Sequence, residues 1–338
     1  MSNRIQRELE MERQMEALVA EQPDYIKDFF FWMFGKKSTT REKYLKYVIR
    51  FIDYCANQLG VETLQADLLC RINEGMVNSY FRSMSLRYED NKVIGRLSSN
   101  TINANICGIS TFYEFLVERK LVQENLCDRI SRPTIEEKEE VVYLTQEEIL
   151  QMLNNIDHGV GTSQARAKQF RMRNRDKLLV SLPLVTGIRI SALTDINIED
   201  IDAAGVLRVV EKEGKHRVFK LPDMILKILE EWIKDRELLM QKMKQDHNAL
   251  FITEKGNRLG SQGANLIIKK YSEGIDKHIT AHKLRATFAT TTYEQTRDIY
   301  LVAQALGHKS TETTKRYARV SQERITEASQ NMCEYINK

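Results

Sequence analysis

The run Ala281-His282-Lys283-Leu284-Arg285 is followed by Leu306-Gly307-His308 and then by Thr313-Thr314-Lys315-Arg316-Tyr317, and these three segments decide the fold of the chain. Guanidinium and imidazole groups together can hold a phosphate group. A phenol placed beside that phosphate can attack its phosphorus atom. A tyrosine that follows a Gly-His pair, which itself follows a His-x-x-Arg, therefore indicates cleavage of a nucleic-acid strand by a covalent route.

The upstream part of the chain supplies two further groups that this chemistry needs. Arg189 lies in Thr186-Gly187-Ile188-Arg189-Ile190-Ser191, and Lys212 lies in Val210-Glu211-Lys212-Glu213-Gly214-Lys215-His216-Arg217. In this chain order, the set Arg, Lys, His-x-x-Arg, His and Tyr resembles the site of the tyrosine recombinase (phage integrase) family. The resemblance covers residues 24–325 and is most specific over 182–320. The chain is most similar to the simple two-domain, Xer-type members.

The resemblance implies that Arg189, Arg285 and His308 bind the nonbridging oxygens of a scissile phosphate. His282 and Arg285 are three residues apart, so on a helix they share a face. Preorganised donors favour the five-coordinate transition state, because negative charge on those oxygens grows there. Taken alone, Arg189 is typical of a surface residue and His308 of a helix cap, and only the complete set favours the functional interpretation.

The general acid that the resemblance implies is Lys212, which would protonate the 5′-oxygen as it leaves, an effect worth ~10²–10⁴-fold. Lys215 is an alternative acid, because both lysines lie in the turn between two predicted strands. The spacing Lys215-x-Arg217 matches the family's second lysine and its arginine, which favours Lys212. The turn reads Glu-Lys-Glu-Gly, whereas the family usually has glycines on both sides of the lysine.

Tyr317 is the implied nucleophile, and it stands nine residues after His308. A phenol has a pKa near 10 and needs a base or cationic surroundings to react at neutral pH. The resemblance implies that His282 accepts the phenolic proton. The family usually has an acidic residue three positions after its first arginine, where this chain has Ala192. That departure leaves an inactive DNA-binding relative as an open alternative.

A run of basic residues precedes the segment that carries Arg189. Such a run usually forms a solvated face, and in a DNA enzyme it can equally contact backbone phosphates, so both interpretations stay open. The candidate DNA contacts in this run and in the later turn are Arg171, Arg173, Arg175, Lys215 and Arg217.

Hydrophobic periodicity predicts a mainly α chain with four parts. Residues 1–22 form an N-terminal helical extension without a clear packing face, and residues 23–131 form a helical bundle. Residues 132–144, with Arg132-Pro133 and an acidic run, form a linker. Residues 145–338 form the catalytic domain and its C-terminal tail helix. The resemblance identifies the bundle as a core-binding, SAM-like DNA-binding domain.

Local signals predict where individual elements begin. Thr39 and Thr145 are each followed three residues later by a glutamate, which predicts capping boxes at two helix starts. Residues 85–98 are typical of a loop. Short strands of a small antiparallel sheet are predicted at Val206–Val210, Arg217–Leu221 and Ala249–Ile252.

Composition narrows the class of protein. The 338 residues are 42% hydrophobic, and Lys plus Arg (51) exceed Asp plus Glu (47) by four, so any DNA-binding charge must be concentrated on one face. The five cysteines show no C-x-x-C spacing, which argues against a zinc site or a disulfide framework. We found neither a run of ~20 apolar residues nor a signal peptide. We expect a cytoplasmic protein with no membrane partner, metal or cofactor.

These features predict a site-specific DNA recombinase that cleaves and rejoins strands through a 3′-phosphotyrosine intermediate, in integration, excision or resolution. The resemblance implies double-stranded DNA with specific sites as the partner, bound by four protomers. A type IB topoisomerase-like enzyme that relaxes DNA is an alternative of the same chemistry. The tail after Tyr317 is apolar enough to dock on a neighbouring protomer or on its own domain.

Overall fold

The computed structural model divides the chain into two compact units, residues 1–138 and 139–338. The structure describes residues 3–89, 92–134, 141–211, 214–308 and 310–318. Lys212 and the predicted tail helix therefore lie outside the described residues. Within the described ranges, none of the helices is both long enough and apolar enough to cross a bilayer.

The first unit consists of helices and one hairpin. Its helices are α1 (Asn3–Ala20), α2 (Asp24–Trp32), α3 (Ser38–Leu59), α4 (Glu74–Met84) and α5 (Ser99–Glu118). Short 3-10 helices cover Met33–Gly35, Ala66–Arg71 and Leu126–Arg129. The antiparallel strands β1 (Leu86–Glu89) and β2 (Lys92–Arg96) form the hairpin. The prediction of a loop over 85–98 was wrong, because short polar strands give little hydrophobic alternation for a sequence to reveal.

Aromatic side chains fill the core of the first unit. Phe29 packs edge-on against Phe112 with ring centroids 5.0 Å apart. Helix α1 joins this core through Met15 and Val19, both buried, so the N-terminal extension does have a packing face. Helix α3 begins at Ser38 without a side-chain cap, so the capping box predicted at Thr39 is not formed.

The second unit is a helical assembly with one small antiparallel sheet. Its helices are α6 (Gln146–His158), α7 (Ser163–Phe170), α8 (Arg173–Thr186), α9 (Ile190–Asp195), α10 (Asp223–Met243), α11 (Ser261–Tyr271), α12 (Ala281–Thr296) and α13 (Ile299–Leu306). Strands β3 (Val206–Val210) and β4 (His216–Lys220) pair as an antiparallel hairpin. A 3-10 helix covers Lys315–Tyr317. This architecture confirms the predicted mainly α fold with a small antiparallel sheet.

Helix α8 is the centre of the second unit, because it packs against both α10 and α12. The capping box predicted at Thr145 is present: its hydroxyl accepts from the Glu148 amide, and the Glu148 carboxylate accepts from the Thr145 amide. The strand predicted at Ala249–Ile252 is not formed. This buried segment makes only isolated bridges, of Ala249 with Asn197 and of Ile252 with Arg258.

Two helices that lead into the site end at glycines in the left-handed conformation. Helix α8 ends at Gly187, with φ of +61°, and α13 ends at Gly307, with φ of +65°. A Cβ atom at Gly187 would lie 2.5 Å from Cδ1 of Phe288, so only glycine fits there. Each glycine turns the chain sharply, and Arg189 and His308 follow within two residues.

Candidate active site

A buried carboxylate lies at the centre of the candidate site. Glu211 directly follows β3, and its side chain is 0% exposed. Arg189, at the start of α9, donates through Nη1 to Oε2 of Glu211. Arg217, on β4, donates through Nη1 to Oε1 at 3.2 Å. The hairpin and the α8–α9 junction are thus joined by one carboxylate.

Arg285 connects the same carboxylate to two helix ends. Its Nη1 lies 3.7 Å from Oε1 of Glu211 and donates to the carbonyl of Gly187. Its Nη2 donates to the carbonyl of Leu306 at 2.5 Å. Burial, and next the charge of Arg189, lower the pKa of Arg285 to about 10. The guanidinium therefore remains charged at neutral pH.

His308 adjoins this arginine. Its Nε2 lies 3.5 Å from Nη2 of Arg285, and its Nδ1 lies 2.8 Å from the buried Thr314 hydroxyl. Desolvation, followed by the charges of Arg285 and Arg189, lowers the pKa of His308 to about 4, so the ring is neutral at pH 7. The Thr314 hydroxyl can donate to Nδ1 or accept from it; when it donates, the proton is on Nε2, which is the tautomer that can donate to a phosphate oxygen.

His282 lies in the first turn of α12, three residues before Arg285, and it is exposed. Partial desolvation lowers its pKa, and the positive charges of Arg316 and Arg285 lower it further. A neutral imidazole beside several cations can accept a proton. The side chain therefore has the charge state that a general base needs.

Tyr317 closes the 3-10 helix that follows His308, and it is buried. It packs on apolar side chains of α12 and α13, namely Ala286, Ala289, Val302 and Leu306. The guanidinium carbon of Arg316 lies 5.4 Å from the centroid of its ring. The fold thus holds the phenol of the proposed nucleophile against the helix that carries Arg285.

The turn between β3 and β4 holds the other predicted site residues. Lys212 lies outside the described residues, so its role as acid stays a prediction. Lys215 donates from Nζ to the carbonyl of Gly307 at 3.5 Å. Arg217 also donates to the carbonyl of Ala305, and its guanidinium lies 4.4 Å from the Phe219 ring centroid. The Arg217 guanidinium therefore contacts groups of the protein itself. The sequence had predicted a contact with DNA.

The candidate DNA contacts before α9 differ in accessibility. Arg171 is exposed, and Arg173 lies 4.6 Å from the ring centroid of Phe170. Arg175 is buried and donates to Asp176 and to the Ile252 carbonyl. The prediction that Arg175 contacts DNA is therefore wrong, because its donors are satisfied inside the domain. Arg171 and Arg173 stay predictions.

Glu211 is the site residue that the sequence interpretation missed. Its signal was the departure from a glycine-flanked lysine in the turn, where a glutamate precedes Lys212. Ala192, which stands where the resembled family usually has an acidic residue, is buried among apolar side chains. The carboxylate of this site therefore comes from the hairpin and not from α9.

Comparisons with known proteins identify the family of the chain. The sequence profile described as "Phage integrase family" matches residues 142–324, slightly more than half of the chain. Tyrosine recombinase XerS of Streptococcus pyogenes serotype M5 (strain Manfredo) is 25% identical over 97% of this chain and 100% of that protein. Tyrosine recombinase XerC of Pelotomaculum thermopropionicum (strain DSM 13744 / JCM 10971 / SI) is 27% identical over 89% of this chain and 95% of that protein.

Two solved structures show the same fold. XerH recombinase bound to a palindromic difH substrate, in a post-cleavage complex, superposes with a TM-score of 0.60 at 22% identity, covering 86% of this chain and 77% of that chain. The Tn1549 transposon integrase in complex with transposon right end DNA superposes with a TM-score of 0.60 at 15% identity, covering 91% and 98%. The fold of this chain is therefore one that known recombinases share.

Proposed function

Because this chain belongs to the phage integrase family, we propose that it is a tyrosine-type site-specific DNA recombinase. Integration, excision and resolution all use the same cleavage and rejoining of DNA strands. The relatives named above are recombinases, so this function is favoured over relaxation of DNA by a type IB topoisomerase-like enzyme.

The proposed chemistry moves one phosphoryl group from DNA to the protein and back. The oxygen of Tyr317 attacks the scissile phosphorus, and the phenolic proton passes to His282. The bond from phosphorus to the 5′-oxygen breaks, and Lys212 protonates that oxygen. The products are a 3′-phosphotyrosine and a free 5′-hydroxyl. A 5′-hydroxyl from a partner strand reverses the step without an external energy source, because the phosphodiester energy is kept in the adduct.

One observation carries the proposal: three guanidinium groups converge on a single buried carboxylate, and a neutral imidazole adjoins them. Three positive charges against one negative charge leave an excess that suits a phosphodiester. Arg189, whose side chain is 32% exposed, carries a planar fork of donors. Such donors stabilise the growing charge on the nonbridging oxygens of the transition state.

We propose that the protein binds double-stranded DNA at specific sites. We also propose that it acts in the cytoplasm. The family resemblance supports assembly of four protomers on two such sites. Arg171 and Arg173 are proposed to contact backbone phosphates outside the cleavage site. Contacts of this kind position a protein on DNA without reading its sequence, so their loss weakens binding evenly across sequences.

The test of the proposed function is covalent trapping. The native protein, Tyr317→Phe and Tyr300→Phe are incubated with fragments of the DNA that flanks the gene, quenched in SDS and resolved for protein–DNA adducts. Tyr300 is the matched control, because it is 75% exposed in the same unit. We expect adducts with the native protein and Tyr300→Phe and none with Tyr317→Phe. An adduct that persists in Tyr317→Phe would show that Tyr317 is not the nucleophile.

A further inference from the structure

We infer that Glu211 is a positioning residue that holds the phosphate-binding arginines in a preorganised arrangement around the scissile phosphate. The inference rests on the proposed function, because it assigns Glu211 a role in that reaction. Glu211 does not touch the substrate in this scheme. It acts through the guanidinium groups that do.

The geometry of the carboxylate supports this role. Both oxygens of Glu211 are used, Oε2 by Arg189 and Oε1 by Arg217 and Arg285. The three arginines come from three separate parts of the domain, namely α9, β4 and α12. A buried anion shared by all three fixes the distance between Arg189 and Arg285 before DNA binds.

Charge explains why an anion is needed there. Guanidinium groups packed together in a low-dielectric interior repel each other, and Arg285 already has its pKa lowered by burial and by Arg189. One carboxylate offsets one of three positive charges, so the group can be held together. Two positive charges remain for a phosphate, and the site stays attractive to DNA.

The position on α9 where the resembled family usually has an acidic residue carries no carboxylate. The residue three positions after Arg189 is Ala192, which is 4% exposed and belongs to the apolar core. Glu211 also makes two backbone hydrogen bonds to described residues of the segment between β3 and β4. Its amide donates to the carbonyl of Lys215 at 2.7 Å, and its carbonyl accepts from Gly214 at 3.2 Å. The same residue thus links the arginines to Gly214 and Lys215.

The experiment compares Glu211→Gln with Asp176→Asn in the full-length protein. Asp176 is the matched control, because its side chain is also 0% exposed and also pairs with an arginine, Arg175. Both substitutions neutralise a buried carboxylate and keep its shape. Only the first lies in the proposed site.

The first readout needs no substrate. The order of the Arg189 side chain is measured by ¹⁵N relaxation at its Nε in the DNA-free protein, with the signal assigned through Arg189→Lys. We expect Arg189 to become mobile in Glu211→Gln and to keep its order in Asp176→Asn. Equal order of Arg189 in the native protein and Glu211→Gln would overturn the inference.

The second readout is the rate of adduct formation on the DNA fragment recovered by trapping, prepared as the phosphodiester and with a methylphosphonate at the scissile position. The methyl group removes one nonbridging oxygen and the negative charge, so this substrate depends less on paired arginines. We expect Glu211→Gln to slow the phosphodiester reaction about 100-fold and the methylphosphonate reaction by a much smaller factor. Asp176→Asn should leave the ratio of the two rates unchanged.

A parallel loss on both substrates in Glu211→Gln would reveal a merely structural role and overturn the inference. Failure of the proposed function has a different signature, namely no Tyr317-dependent adduct from the native protein on any fragment. In that case the mobility of Arg189 still decides whether Glu211 positions it.

Discussion

Two buried carboxylates in the second unit, Asp176 and Glu211, are surrounded by cations in different ways. Asp176 accepts from Nε of Arg175 at 2.7 Å and from the Tyr271 hydroxyl at 2.8 Å, and Nζ of Lys270 lies 3.5 Å away. Arg175 uses Nη1 to donate to the carbonyl of Ile252. The guanidinium of this cluster is therefore buried and satisfied entirely by protein groups.

Glu211 has three arginines, and one of them faces solvent. The Arg189 side chain is 32% exposed, whereas that of Arg175 is 5% exposed. The exposed cation of the Asp176 cluster is a lysine that lies against the Tyr271 ring. A buried carboxylate–arginine pair alone thus indicates only packing. An accessible guanidinium with excess positive charge indicates an anion-binding site.

The largest expected effects come from removing one arginine of each cluster. Arg189→Ala should lower the rate of adduct formation by about 10²–10³-fold, because a donor to the transition state is lost. Arg175→Ala should lower the free energy of unfolding by about 3–5 kcal/mol, since Asp176 loses its main partner. Urea unfolding and adduct rates measured on both variants separate the two effects. If Arg175→Ala were stable but inactive, the Asp176 cluster would not be merely structural, and the contrast between the two clusters would be wrong.

The pH dependence of stability should sharpen the comparison at His308. Its pKa is lowered from 6.5 to about 4 in the folded protein, so the unfolded chain binds the proton first. The contribution of neutral His308 is therefore complete above pH 6.5 and is lost as the pH falls toward 4. Urea unfolding between pH 7.5 and 4.5 should show a steeper decline for the native protein than for His308→Gln. Parallel declines would argue that His308 does not lie against the arginines.

The smallest expected effect is at the hydroxyl that orients His308. Thr314→Val removes the partner of Nδ1 at little change in shape, and should lower the free energy of unfolding by about 1 kcal/mol. The adduct rate should fall several-fold, because the tautomer of His308 is no longer fixed. Thr313→Val is the control, since Thr313 is exposed. Equal behaviour of both variants would show that the hydroxyl of Thr314 does not orient the imidazole.

The parts of the site that sequence could predict are those carried by short motifs. Arg285 and His308 stand in segments with characteristic neighbours, and each lies where the chain makes a sharp local turn or begins a helix. The strand predicted at Val206–Val210 was also confirmed, as β3, because its alternating residues bury one face of the hairpin.

The parts that sequence could not predict depend on contacts between distant segments. The partners of Glu211 lie 22, 6 and 74 positions away in the chain, at Arg189, Arg217 and Arg285, so the glutamate in the turn does not by itself indicate which arginines it binds. Arg175 lies in a basic run that is typical of a solvated face, and only tertiary packing shows that it is buried.

The two carbonyls that accept from Arg285 have a further consequence. They belong to Gly187 and Leu306, which end α8 and α13, so one guanidinium stands at the partially negative ends of two helices. Arg285 therefore acts as a shared C-terminal cap as well as a phosphate ligand. If Arg285 were replaced by each of the other residues and the recombination activity of every variant were measured, each loss of activity would combine misfolding with lost chemistry. Arg189 caps neither helix in this way, so substitutions there would report more directly on catalysis, apart from the loss of its ion pair with Glu211.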